Sequence, residues 1–336
     1  MKRNTDLDFI RAILIVLMIL IHIVSFGNAY PQLKAGILSF MMPTFLIITG
    51  YLVNIEKTGR QMGNYLKCLA LPYVIMVTGF SVLSYYMPVR DGITELSLSQ
   101  IGEKIFVTSI GPYWFIQTMI ICGTLYYFCF SGRNWNDLRR NYTKRDTYAS
   151  LFVFAVTLLL ISETPALSAS AAAYYFIGVV IRQSKTEWNK LFRHEFFAII
   201  LWIYLLNHDD WYDWGSLAIV FSCWCCISTL LLLQHLLDAP ERFKDISPKI
   251  GKVAKVTNRI KDTLLYIGRN TLPIYLFHPI FTMAAKFYHP LFSWDPSEIC
   301  FALFTVILAI LGSIAIARIM EKTKLAYLFG KGKILR

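Results

Sequence analysis

The sequence predicts an all-α fold, a polytopic bundle of about ten transmembrane helices with both termini in the cytoplasm. Three observations carry this expectation. The 336 residues are 56% hydrophobic and 16% charged, whereas a soluble domain carries roughly 25% charged residues. The apolar residues come in runs close to the roughly twenty that a helix needs to cross a bilayer core. The Lys and Arg residues lie between those runs, dense in every second segment and sparse in the others, as retention of positive charge on the inner side demands.

The candidate spans are 8–28, 36–54, 66–86, 112–130, 148–162, 167–182, 196–207, 215–237, 264–285 and 297–318. The first run is too long for a signal-peptide core and no small-x-small cleavage site follows it, so it stays in place as a helix. The fifth and sixth are separated by SETPAL, a tight turn at the membrane surface. The seventh, FFAIILWIYLL, is short and fits a re-entrant segment as well as a crossing one.

With the N-terminus inside, the inner segments hold Lys2, Arg3 and Arg11, then Lys57, Arg60 and Lys67. They continue with Arg133, Arg139, Arg140, Lys144 and Arg145, then Arg182, Lys185, Lys190 and Arg193, and then the cluster from Arg242 to Lys261. A short basic tail, 319–336, closes the inner side, and the outer loops keep only Lys34, Arg90, Lys104 and Lys286. Dropping any one helix scrambles this alternation. The chain 1–336 reads as one transmembrane domain without internal repeats.

A net charge of +12 suggests nucleic acid in a soluble protein, but here loop retention accounts for it and no nucleic-acid partner is expected. The seven cysteines lie in or beside apolar segments, where cysteine packs as a small hydrophobe. Cys223, Cys225 and Cys226 find no partner pair at zinc-like spacing, so no metal is expected. The outer loops NHDDWYDW and SWDPSE, rich in Trp and acid, read as interfacial belts. The basic segment from Asp238 to Asp262 has two readings, a tether to anionic membrane lipids and a landing surface for an anionic cytosolic ligand.

Ionisable groups inside an apolar span are costly and therefore candidates for function. In the first span Asp8 and Arg11 stand at the cytoplasmic end and His22 lies eleven residues beyond Arg11. That is close to three helical turns, about 16 Å of rise, so both residues share a face. In the ninth span GRNTLPIYLFHPI places Arg269 early, with Tyr275 and His278 later. Both histidines then fall about fourteen residues from their helix starts, at similar depth, with two arginines below them lining a polar passage. The bland alternative is that each histidine only hydrogen-bonds between helices, or that His278-Pro279 satisfies a backbone break.

LDFIRAILIVLMILIH, with ten residues between Arg11 and His22, resembles the opening of the acyltransferase-3 family. In chain order, FLIITGYLV resembles its second-helix segment, NYLKCLALPYV its basic stretch ending in Pro (Lys67 and Pro72), PYWFIQTMI its Trp-Phe element (Trp114) and IYLFHPIF its Tyr-Leu-x-His element (Tyr275 and His278). Two departures stand out. Thr49 replaces the usual Ser before Gly50, and Lys67 stands alone where many members carry two or three basic residues. The family's optional SGNH hydrolase-like domain has no counterpart.

The resemblance implies O-acylation of a cell-envelope or secreted carbohydrate from cytosolic acyl-CoA, most often acetyl-CoA, in the cytoplasmic membrane of a bacterium. Acyl-CoA is then a co-substrate and no cofactor is permanently bound. His22 is the expected general base, an imidazole whose ordinary pKa of about 6.5 suits proton abstraction near neutrality. Arg11, Lys67 and Arg269 are expected to hold the anionic CoA, with Asp8 as partner to Arg11. Trp114, Tyr275 and His278 are expected to support the chemistry or seat the acceptor. The competing reading is a transporter or flippase of a lipid-linked saccharide, whose helices are also broken by Gly and Pro, as Pro273 and Pro279 break the ninth span. A structural subunit without chemistry leaves the shared face of Arg11 and His22 without a purpose.

Overall fold

The structure is a computed structural model that describes residues 4–87, 89, 91–131, 144–192 and 195–336. The inner-loop residues Lys2, Arg3, Arg133, Arg139, Arg140 and Arg193, and outer Arg90, lie outside the described residues. Among the described residues there is no strand. The α-helices are α1 (Thr5–Ile21), α2 (Val24–Ala29), α3 (Pro31–Leu52), α4 (Gly59–Tyr86), α5 (Leu98–Phe106), α6 (Trp114–Ser131) and α7 (Lys144–Ser162). They continue as α8 (Ala169–Gln183), α9 (Trp188–Leu191), α10 (Phe196–Leu206), α11 (Leu217–Arg242), α12 (Pro248–Arg269), α13 (Thr271–Tyr288) and α14 (Ile299–Lys322).

Among the described residues five stretches are long and apolar enough to cross a membrane by length and composition: α3, α4, Gly111–Phe130, α11 and α14. The protein is an all-α helical membrane bundle. The other predicted spans are shorter or interrupted. Helix α10 has 11 residues, about 16 Å of rise, roughly half of a hydrocarbon core. The first span, predicted over 8–28, is two helices, because α1 stops at Ile21 and the chain restarts as α2. The ninth, predicted over 264–285, is cut at Asn270, so its beginning belongs to the basic helix α12 and its remainder to α13.

Local chemistry sets several starts. The Asn4 side chain accepts from the amides of Asp6 at 2.9 Å and Leu7 at 3.4 Å, while Asp6 and Asp8 sit in the first turn of α1, where the helix dipole favours carboxylates. Thr58 and Gln61 form a reciprocal capping box on α4. Ser247 caps α12 and Pro248 opens it, a position where the missing N–H costs nothing.

Contacts sort the chain into two compact units. The first comprises 1–45, 186–322 and 333–336. Helix α1 is its centre, touching α11, α12, α13 and α14, and Leu7, Phe9, Ile10, Ala12, Leu14, Ile15, Met18 and Ile19 are buried. The side chains of Lys261 on Asp238, at 2.5 Å, and Asn258 on Glu241, at 2.8 Å, tie α12 to α11. Cys223, Cys225 and Cys226 are buried on α11, and the Cys223 thiol points at the Phe40 carbonyl 3.7 Å away.

The second unit comprises 46–185 and 323–332. Its core gathers Tyr126, Phe130, Phe154, Leu158, Leu167, Tyr175 and Val179 around Cys122. The last turns of α3 meet α8 where Gly50 faces the Tyr175 carbonyl and Gly178 faces the Ile47 carbonyl. Neither position leaves room for a Cβ, the close backbone approach that small residues allow between membrane helices. The predicted tail begins as the last turn of α14, to Lys322, and then forms a 3-10 helix over Leu325–Phe329.

Candidate active site

The first unit brings together Asp8, Arg11, His22, Arg269, Tyr275 and His278. Two backbone interruptions build this arrangement. The first is at His22. Helix α1 ends at Ile21, His22 closes it, and Ile23 is extended with φ −80 and ψ 106. Ile21 and Ile23 are buried, so the irregular backbone lies within protein, the only setting that membrane depth tolerates apart from a water-filled cavity. The His22 Nδ1 lies 2.6 Å from the Met18 carbonyl. A carbonyl only accepts, so Nδ1 carries the hydrogen and, in the neutral ring, Nε2 keeps its lone pair.

The second interruption is at Asn270, the one residue between α12 and α13, with φ −111 and ψ 26. It separates Arg269, the last residue of α12, from Thr271, the first of α13. Asp8 lies between two guanidinium groups, with Oδ1 3.9 Å from Arg11 Nη1 and Oδ2 4.0 Å from Arg269 Nε. The Asp8 side chain is 6% exposed while the arginines remain 26% and 39% exposed. Both arginines keep an accessible side beside the buried carboxylate. Arg11 Nη2 also donates to the Thr271 hydroxyl.

Farther along the same two helices the His22 and His278 rings meet edge to face, centroids 5.3 Å apart and planes at 75°. Since Arg11 meets Thr271 and His22 meets His278 in the same chain order, α1 and α13 run in the same direction. His278 Nδ1 donates to the Tyr275 carbonyl at 2.7 Å, so in the neutral ring its Nε2 is also the acceptor nitrogen. That Nε2 is buried and has no hydrogen-bond partner. The Tyr275 ring is buried 5.8 Å from that of His278. The pairing is reached by a route other than equal depth from two helix starts. His278 is only in the second turn of α13, and Arg269 ends a helix instead of opening one.

Lys67 and Trp114 belong to the second unit. Lys67 is exposed on α4, five residues before the Pro72 inside that helix. Trp114 opens α6 after a 3-10 turn at Gly111–Tyr113, half-buried, its ring 6.2 Å from Phe115.

Three residues of the arrangement escaped the sequence reading. Gly268 faces the Asp8 carbonyl so closely that no Cβ fits, which lets α12 lie against α1. Thr271 receives Arg11. Asn270 is fully buried, and its side-chain amide pairs with the backbone of Arg336, accepting from the amide at 2.8 Å and donating to the carbonyl at 3.3 Å. Only the motif GRNT hints at these, because a Gly and an Asn beside an apolar run signal a helix boundary.

Such an arrangement can do two things. Paired arginines with open faces bind phosphate or carboxylate groups, Arg with bidentate geometry. An imidazole with a fixed Nδ1–H and a bare Nε2 can take a proton from a hydroxyl. No curated protein and no solved structure matches the chain. Residues 4–318, nearly the whole length, match the family model described as an acyltransferase domain. By that match the chain belongs to the acyltransferase-3 family, and it is a membrane acyltransferase.

Proposed function

We propose that the protein moves an acyl group, acetyl in the first instance, from cytosolic acyl-CoA to a hydroxyl of a cell-envelope or secreted carbohydrate. The observation that carries this reading is the His22 imidazole, whose Nδ1 is tied to Met18 at a helix break and whose Nε2 stays a base. In the proposed step Nε2 takes the hydroxyl proton as the oxygen attacks the thioester carbonyl. The C–O ester bond forms, the C–S bond breaks, and the proton passes to the departing thiolate. Arg11 and Arg269 receive anionic groups of CoA. His278 and Tyr275 steady the His22 ring or the acceptor. Acyl-CoA is a co-substrate, and no resident cofactor takes part. The alternation of basic and neutral segments supports both termini in the cytoplasm, and with the family it supports the cytoplasmic membrane of a bacterium.

The test is transfer of label from radioactive acetyl-CoA to a mixed glycan extract by purified protein in nanodiscs, wild type beside His22→Ala. Labelled glycan with wild type, lost in a variant of unchanged thermal stability, is the expected result. Absence of transfer and of CoA-dependent stabilisation in both proteins would sink the reading.

A further inference from the structure

Helix α12 carries three different faces. One, with Ala254, Asn258, Lys261 and Leu265, packs on α1 and α11. The second is apolar and open to the outside: Val253 is 51% exposed, Val256 56% and Ile260 46%. Their spacing of three and four residues makes one continuous stripe. The third holds Lys252, Lys255 and Arg259, all exposed. Neither these three nor Lys249 takes part in an ion pair among the described residues, whereas Lys244 is paired with Glu241 and Lys261 with Asp238. A helix with protein on one side, bare apolar residues on the second and unpaired cations on the third matches the physics of a membrane surface.

The apolar stripe continues beyond α12. Leu236, Ala239 and Pro240 of α11, with Phe243, Ile246, Ile250 and Val253, line an apolar groove whose single charged wall is Lys249. Phe243 and Ile246 are 53% and 72% exposed, unusual for a loop that faces only water. We propose that this groove and the adjoining stripe bind an anionic phospholipid, its acyl chain against Phe243, Ile246 and Ile250 and its phosphate at Lys249. Lys252, Lys255 and Arg259 draw the same leaflet's charge. Complementarity selects this occupant: a soluble anion uses the cations but leaves the apolar groove wet, and a neutral lipid fills the groove but leaves the cations unpaired. The inference stands independently of the acyl transfer proposed above.

The test is lipid retention by native mass spectrometry after extraction from mixed phosphatidylglycerol and phosphatidylcholine vesicles. It uses the full chain and a Lys249→Gln, Lys252→Gln, Lys255→Gln, Arg259→Gln variant. The expected result is retention of phosphatidylglycerol over phosphatidylcholine by roughly tenfold or more, since each cation near an anionic surface adds severalfold to affinity. In the variant the preference falls to near parity while thermal stability in pure phosphatidylcholine is unchanged. Ile250→Asn should weaken retention of both lipids. Equal retention by wild type, or a preference that survives in the charge variant, overturns the proposal. So does displacement of the lipid by millimolar CoA, which assigns the cations to a cytosolic anion.

Discussion

The rings of His22 and His278 stand edge to face 5.3 Å apart, and each commits its Nδ1 hydrogen to a carbonyl of its own helix. The His278 Nε2 is buried without a hydrogen-bond partner, poor architecture for stability alone, because a buried acceptor without a partner costs about 1–3 kcal/mol. His22→Ala should therefore lower acyl-transfer turnover by about 10³-fold, the range for a lost general base, with little change in melting temperature. His278→Ala removes the neighbour and not the base, so its loss of turnover should be the smaller, about tenfold. The reading of His22 as base does not survive if His22→Ala keeps more than a tenth of wild-type turnover.

Gly268 decides how closely α12 approaches α1. A methyl group there overlaps the Asp8 carbonyl oxygen and carbon, backbone atoms that a rotamer change does not move. Gly268→Ala should force the helices apart at the level where Asp8 meets Arg11 and Arg269. The expected cost is about 3 kcal/mol of stability, read as a lower denaturation midpoint. Gly251→Ala is the control, because its added methyl meets only the Lys244 carbonyl at an ordinary 3.5 Å and should leave the midpoint unchanged.

Hydropathy and loop charge make the class of fold legible, because both are properties of composition along the chain. What they miss is where a helix breaks inside an apolar run. Only His22 interrupts the apolar run at Ile21–Ile23, so the sequence reads one span where the structure has α1 and α2. Asn270 lies in a run that hydropathy begins at 264, so α12 and α13 merge on paper. The residues of the candidate site were visible as ionisable groups out of place, Asp8, Arg11, His22, Arg269 and His278. Their partners, Thr271 and Asn270, are ordinary polar residues whose role depends on contacts 260 and 66 positions away.

Asn270 and Arg336 form a testable clamp. The side-chain amide of Asn270 makes two hydrogen bonds to the Arg336 backbone, and the amides of Ile334 and Leu335 both donate to Glu321, at 2.6 and 2.7 Å. The clamp holds the α12–α13 junction, where Arg269 and Thr271 sit. Asn270→Ala and deletion of Arg336 should each cost about 2 kcal/mol, the scale of a buried pair of hydrogen bonds. Together they should cost little more than either alone, because both remove the same bonds. If Arg11 and Arg269 hold the donor, acyl-CoA KM rises severalfold in each while kcat changes less. Fully additive losses would show that the two residues act separately.

Asp295 gives a prediction about pH. It lies in the turn before α14, accepting from the Ser297 hydroxyl and amide through Oδ1 and from the Cys300 amide at 2.7 Å through Oδ2. The Ser297 hydroxyl, above all, holds its carboxyl below the usual carboxylate range. A depressed folded pKa means that its stabilisation is fully present above the unfolded value, about 3.9, and is lost as pH falls through the lower folded value. Asp295→Asn keeps an acceptor for Ser297 but presents an NH₂ to the Cys300 amide, which then loses its bond. The variant should melt below wild type by a constant margin from pH 8 to about pH 5, and the margin should shrink as pH falls below about 4. Glu298, 2.8 Å from His289 in the same turn, is a second carboxylate in this loop, so the comparison belongs in a Glu298→Gln background. A margin that stays constant down to pH 3 in that background would mean that the ionised carboxylate is not what caps the helix.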